Sequence, residues 1–137
     1  MGLTLAHGRG HLTRAVLEGV AFGLKDNLAL MAAVGLEDVG QVRISGGGAR
    51  SPIWRQILAD VLGVELVSVE TSEGAALGAA LLAGVGAGVW ESAEQACGAA
   101  VQLGEVTKPD ADARKPYDRI YQRFRDSYAA VRPLFDG

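Results

Sequence analysis

Residues 45–52 read Ser45-Gly46-Gly47-Gly48-Ala49-Arg50-Ser51-Pro52, the stretch of this sequence best suited to chemistry. Three successive glycines allow positive φ and leave backbone bare, so a ligand can lie directly against the chain. Ser51 is a good helix N-cap, and Pro52 suits a first helical residue because its missing N–H is not needed there. A helix starting at that point offers free N–H groups and a partial positive charge at its first turn. A bare loop beside a helix N-terminus is a site for an anionic or polar ligand such as a nucleotide. Gly-rich strand-to-helix turns are also common as plain connections, so by itself the stretch leaves both readings open. No Gly-Lys-Ser/Thr follows, which excludes a P-loop, and the pattern is not the GxGxxG of a dinucleotide fold.

The remaining reactive side chains are sparse. Cys97 is the single cysteine. It has no disulfide partner within the chain and no CxxC companion, and it reads as a small buried apolar residue in a reducing compartment. His7 and His11 stand four apart, but no further Cys or carboxylate is arranged around them as a zinc site requires, so no metal ligand is assigned. The formal net charge is −3. Such a chain has no strong basic field for nucleic acid or an anionic membrane. Its 137 residues, 49% apolar and 21% charged, have the balance of one globular domain. Met1 is followed by a mixed Gly- and His-containing stretch rather than a signal peptide, and the composition is that of a cytoplasmic protein.

Several elements must position the loop. Leu12, Val16, Val20, Leu24 and Leu28 recur every four residues from near His11, with Leu17 and Met31 widening the stripe, which predicts a long helix ending at Gly35. Arg14 and Glu18 lie one turn apart and can pair. Gly19 and Gly23 inside it are either tolerated or mark close approach of another element. Gln41-Val42-Arg43-Ile44-Ser45 predicts a strand leading into the glycines. Trp54, Ile57, Leu58, Val61 and Leu62 return to helical spacing, and Gly63 ends that helix. Val64–Val69 predicts a second strand. Thr71 or Ser72 then caps an Ala/Gly-rich helix from Glu73 to Val85. Residues 74–90 carry no charge, but they are short of the ~20 residues of a membrane span. A buried helix packed through small residues is expected instead. A short helix is expected over Ser92–Ala99 and a loop over residues 101–112. In the last helix Tyr117, Ile120, Tyr121, Phe124, Tyr128 and Val131 share one face, while Arg119, Arg123 and Arg125 mix with Asp118 and Asp126 on the other. Aromatics confined to one stripe, with charges that nearly cancel, indicate an amphipathic helix docked by its aromatic face rather than a nucleic-acid surface. Two strands make a poor sheet alone, so strands from elsewhere, upstream or from a partner chain, are expected to belong beside them.

The block Ser45 to Asp60, Ser-Gly-Gly-Gly-Ala-Arg-Ser-Pro-Ile-Trp-Arg-Gln-Ile-Leu-Ala-Asp, closely resembles the adenosine-binding motif of the FGGY carbohydrate kinases. Gly2-Leu3-Thr4 with His11-Leu12-Thr13-Arg14-Ala15-Val16-Leu17-Glu18-Gly19 resembles the second signature of that family. Glu73-Gly74-Ala75-Ala76-Leu77-Gly78-Ala79-Ala80-Leu81-Leu82-Ala83 resembles the helix closing its nucleotide pocket. Tyr117-Asp118-Arg119-Ile120-Tyr121 is similar to the last helix of its xylulokinase branch. These four blocks occur in the family's order and span essentially the whole chain.

The resemblance implies an α/β fold, part of an actin-like ATPase (ribonuclease H-like) domain, mostly helical with a small incomplete sheet. Residues 1–137 would be one domain: the C-terminal nucleotide-binding part of a sugar kinase whose N-terminal domain and first C-terminal strands lie elsewhere. Family members transfer the γ-phosphoryl group of ATP to a sugar hydroxyl with Mg²⁺. By position, Gly46, Gly47 and Gly48 would face ATP or ADP through backbone, and Ser51 would reach the adenosine end. The family's catalytic and metal-facing aspartates have no matching position here, so no catalytic or metal residue is assigned. Asp60 is read as a structural contact, and Glu18 and Glu73 fit packing or capping as well as ligand contact. The implied acceptor is a pentulose, D-xylulose foremost, reached through the other domain. The alternative is a non-catalytic actin-like nucleotide-binding or interaction module. The exposed sheet edge expected from missing strands predicts self-association, most simply a homodimer.

Overall fold

The computed structural model describes residues 2–36, 39–70 and 74–135. Helix α1 runs Arg9–Ala33 and stops where Gly35, at φ 99°, allows the Leu36 N–H to reach the Met31 carbonyl (3.1 Å) and its own N–H to reach that of Ala32 (3.0 Å). This double closure satisfies two carbonyls the helix end would otherwise strand. Strand β1 (Gln41–Ile44) follows, then a 3₁₀ turn over Gly47–Arg50, and then α2 (Pro52–Leu62). Gly63 ends α2 in the left-handed region at φ 72°. Strand β2 (Glu65–Val69) lies parallel to β1, with Gln41 opposite Glu65 and Ile44 opposite Ser68. Parallel neighbours need a crossover, and α2 supplies it. Helices α3 (Gly74–Gly86) and α4 (Ala93–Ala100, capped by Ser92) come next, then β3 (Leu103–Thr107) and α5 (Ala111–Val131), with a last 3₁₀ turn at Arg132–Leu134. The expected cap at Thr71 or Ser72, and Glu73, fall outside the described residues.

The core forms where α1, α2 and α5 meet one face of the sheet. Ala21 and Phe22 of α1, Ile57, Leu58, Ala59 and Val61 of α2, Leu66 of β2 and Tyr117 of α5 make one buried cluster. Phe22 is its aromatic hub, with ring centroids 6.0 Å from Tyr117, 5.8 Å from Tyr121 and 5.4 Å from Phe124. The last helix therefore docks by its aromatic stripe, although Tyr128 at the far end stays exposed. Two polar ties fasten the same seam. Tyr117 donates to Glu18 Oε1 (2.8 Å) and accepts from Arg14 (2.7 Å), which itself pairs with Glu18 (2.7 Å). Tyr121 donates to Asp26 (2.5 Å), and Lys25 sits 4.7 Å above its ring. On the other face of the sheet, Val67 is buried, and Val69 lines a small cavity with Leu77 and Leu81 of α3 and Cys97 of α4.

Four expectations change, and the choice left open at Gly19 and Gly23 is decided for simple tolerance. A third strand exists: β3 pairs antiparallel with β2, Leu66 opposite Thr107 and Val69 opposite Leu103, with an irregularity between Val67 and Val69. Gly104 hides it from propensity, yet glycine is what the position needs. A Cβ there would lie 2.6 Å from Ser68 Oγ. The stripe chosen for α1 is also not the one that packs. Leu12, Val16, Val20 and Leu24 are exposed, and Leu17, Ala21 and Phe22 face the core. A four-residue repeat drifts about 40° per step around a helix of 3.6 residues per turn. It therefore winds past the packed arc rather than marking it. Gly19 and Gly23 meet no close neighbour, since a Cβ on either would have nothing within 4 Å. Helix α3 is an outer layer with only Leu81 buried, rather than a buried helix. Its Gly84 has no side chain where the Trp90 ring packs. Finally, Cys97 is exposed, because Ala96 rather than Cys97 takes the buried position of α4. No helix among the described residues is long and apolar enough to cross a membrane.

Candidate nucleotide-binding site

The site begins where β1 ends. Gly46 holds φ 87°, ψ −175°, a conformation side chains strongly disfavour, and turns the chain across the carboxyl end of the strand. Its carbonyl accepts from the Ala49 N–H (3.2 Å), and the Gly48 carbonyl accepts from the Ser51 N–H (3.1 Å), closing the 3₁₀ turn. Gly48 backs onto Trp54, where a Cβ would come within 3.2 Å of the indole. Gly47 faces open space, with nothing within 4 Å of its Cβ position. The triple glycine therefore has one packed member, Gly48, and two bare ones, Gly46 and Gly47.

Ser51 is the N-cap of α2, and its Oγ accepts from the Trp54 N–H (3.3 Å), with Pro52 next in line. The sequence reading thus places Gly46, Gly47, Gly48 and Ser51 on one continuous turn. The structure adds that the Ser51 oxygen is engaged by the helix. Opposite the loop, Gly74 opens α3, and a Cβ there would stand 3.7 Å from Ser45 Oγ. The first turns of α2 and α3 thus flank the carboxyl ends of two parallel strands. Open α/β sheets bind ligands in this crevice, outside the strand ends. A cavity of about 570 Å³ borders the loop, lined by Gly46, Ala49, Arg50, Ser68, Glu70 and Glu105 among others. Ligand pockets span roughly 300–1,000 Å³.

Lining the same cavity is a residue to which the sequence assigns no role. Arg55 is only 7% exposed. Its Nη1 donates to the Ala49 carbonyl (2.7 Å), its Nε to Thr107 Oγ1 (3.3 Å) and its Nη2 to Glu105. A signal was present: Arg55 falls three and seven residues before Leu58 and Leu62, a charge on an otherwise apolar stripe. Asp60, also buried, accepts from Gln56 Nε2 (2.7 Å) and the Asp110 N–H (2.8 Å), fixing the start of α5. Its role is structural, and so is the pairing of Glu18.

His7 Nδ1 bonds within its own turn to Thr4, and His11 Nδ1 accepts from the Gly8 N–H (3.2 Å) at the start of α1. Among the described residues no group of three or more His, Cys, Asp or Glu side chains could hold a metal ion. Of the four predicted residues Gly46 lines the cavity, beside the side chains of Glu70 and Glu105. The described residues supply no donor set for Mg²⁺.

The sequence profile of the FGGY family of carbohydrate kinases, C-terminal domain, matches residues 1–87. The chain is 39% identical over 134 residues to a xylulose kinase of Escherichia coli K12, covering 97% of this chain and 27% of that protein. It superposes on the crystal structure of xylulose kinase from Rhodospirillum rubrum with a TM-score of 0.87 at 36% identity, covering all of this chain and 28% of that one. It also superposes on Plasmodium falciparum glycerol kinase with ADP, at a TM-score of 0.76 and 27% identity, over 93% of this chain and 26% of that one. The chain thus spans about a quarter of the length of the relatives it matches. A partial actin-like ATPase fold, a glycine turn at its strand ends and a family profile over its first 87 residues agree: the chain belongs to the FGGY family of carbohydrate kinases, where it matches the C-terminal domain.

Proposed function

We propose that this chain supplies the adenosine-binding part of an ATP-dependent sugar kinase, with a pentulose, D-xylulose foremost, as acceptor. The observation that carries the reading is the bare Gly47 beside the positive-φ Gly46, set between the first turns of α2 and α3. Backbone N–H groups at helix starts suit a polar or anionic ligand, and bare glycine lets the ligand approach closely. In the complete reaction the γ-phosphoryl group passes from ATP to a sugar hydroxyl, with Mg²⁺ held mainly by residues beyond this chain. Gly46, Gly47 and Gly48 hold the adenosine end by backbone contact, and Ser51 fixes the α2 start against which the ligand rests. The reaction class draws support from the family. The choice of xylulose draws support from xylulose kinases among the relatives and is the narrower statement, since a glycerol kinase shares the fold. The isolated chain is a binding unit without transferase activity, and we place it in the cytoplasm on its composition.

Isothermal titration of ADP into residues 1–137 tests the binding part. Gly47→Val fills the open face without disturbing a packed neighbour and should abolish heat release while the circular dichroism spectrum stays native. Equal binding by both proteins sinks the reading. For the acceptor, the longer kinase containing this chain should phosphorylate D-xylulose faster than glycerol, and the reverse order removes the pentulose assignment.

A further inference from the structure

Arg55 grips the glycine loop at Ala49 and also lines the cavity that borders it. It is a cation buried to all but 7% on a helix whose other buried residues are mainly apolar, and its three donor nitrogens reach three different places. One grips the backbone of the loop at the Ala49 carbonyl, 2.7 Å away. The others reach Thr107 and Glu105, both on β3. The planar fork of a guanidinium is suited to such a three-way hold, and lysine, a single point donor, cannot reproduce it. Burying such a charge is costly unless it is paired and hydrogen-bonded. Mere attachment of β3 to α2 would not require the bond to Ala49, which closes the turn begun by Gly46.

We infer that Arg55 is a positioning residue for the nucleotide: it locks the Gly46–Ala49 turn into its ligand-ready shape and makes that shape depend on β3. The inference rests on the nucleotide reading for its functional consequence, but the lock itself is a property of the free chain. Its natural reporters are the Ala49 and Ser51 amides, which donate to the Gly46 and Gly48 carbonyls across the turn. Glu105 is the solvent-facing partner, its side chain 75% exposed against 8% for that of Arg55. Its share is therefore the smaller one, since exposed carboxylates contribute little.

Two measurements on residues 1–137 decide the matter: hydrogen exchange followed by NMR without ligand, and ADP titration. Arg55→Lys and Arg55→Met should each speed exchange at Ala49 and Ser51 by about tenfold or more, with the amides of α1 and α5 near wild-type rates. The same variants should raise the ADP dissociation constant by about tenfold, the loss of one charged hydrogen bond. Glu105→Gln should change both by only about two- to threefold. The lock is overturned if Arg55→Lys leaves Ala49 and Ser51 exchange unchanged. An ADP penalty without that change would mark a direct ligand contact instead. Loosening of α1 and α5 to the same degree as the turn overturns it too, since that is general destabilisation. A wild-type chain that binds no ADP sinks the nucleotide reading, and the exchange data then decide the lock alone.

Discussion

The glycine turn and the α1–α5 seam are built by opposite means. At the turn the proposed binding surface is bare backbone at Gly46 and Gly47, and one buried arginine holds the turn at the Ala49 carbonyl. At the seam the surface is side chain throughout: Phe22 sits among three aromatic rings, and two tyrosines tie across to carboxylates. The first arrangement provides access, and the second cohesion. Substitutions should therefore separate the two, with seam changes lowering stability and turn changes lowering binding.

The largest expected effect is at the seam. Phe22→Ala removes the aromatic hub and should cost about 3–5 kcal/mol, read as a lower urea midpoint, while the molecules still folded keep their ADP affinity. Binding lost in step with urea sensitivity would erase the distinction. Gly46→Ala comes next. A Cβ at φ 87° is strained, and the change should cost about 1–2 kcal/mol of stability. Unlike Phe22→Ala, it should also weaken ADP binding in the folded fraction. The smallest effect concerns pH. Burial, reinforced by the Asp26 carboxylate, pushes the Tyr121 phenol from 10.0 up to about 12. Burial and Glu18 push the Tyr117 phenol up as well. A folded-state pKa above the unfolded value contributes stability that is complete below pH 10 and fades as the pH climbs towards 12. Tyr121→Phe should flatten that alkaline decline in melting temperature, modestly because the group is only partly buried. The same slope in both proteins would remove Tyr121 from the account.

Much of the turn was legible in the sequence because its signals are local. Ser51, Pro52 and Gly63 mark the two ends of α2 by rules that need only neighbours in the chain, and the strand before the glycines needs only its β-branched residues. The seam was half legible. The aromatic stripe of α5 was plain, but which arc of α1 receives it depends on the position of Phe22 in space. A helix apolar over more than half its circumference does not declare that arc. Strand β3 was illegible because Gly104, a weak strand former, is demanded by Ser68 on the neighbouring strand. Arg55 was visible as a charge out of place, but its partners lie 50 and 52 residues away on a strand that local pattern does not reveal. Cys97 and α3 were misjudged for a related reason: apolar composition says a residue can be buried, and only the packing says whether it is.

The seam also has a consequence in time. Arg14 and Tyr117 are separated by 103 residues, and Phe22 lies as far from the rings that enclose it. Translation proceeds at roughly 5–20 residues per second, so α1 emerges about 5–20 s before the helix that covers it. During that interval Phe22 lacks the three rings that enclose it in the finished fold. Synthesis, rather than the finished fold, is then when the Phe22 ring is least covered.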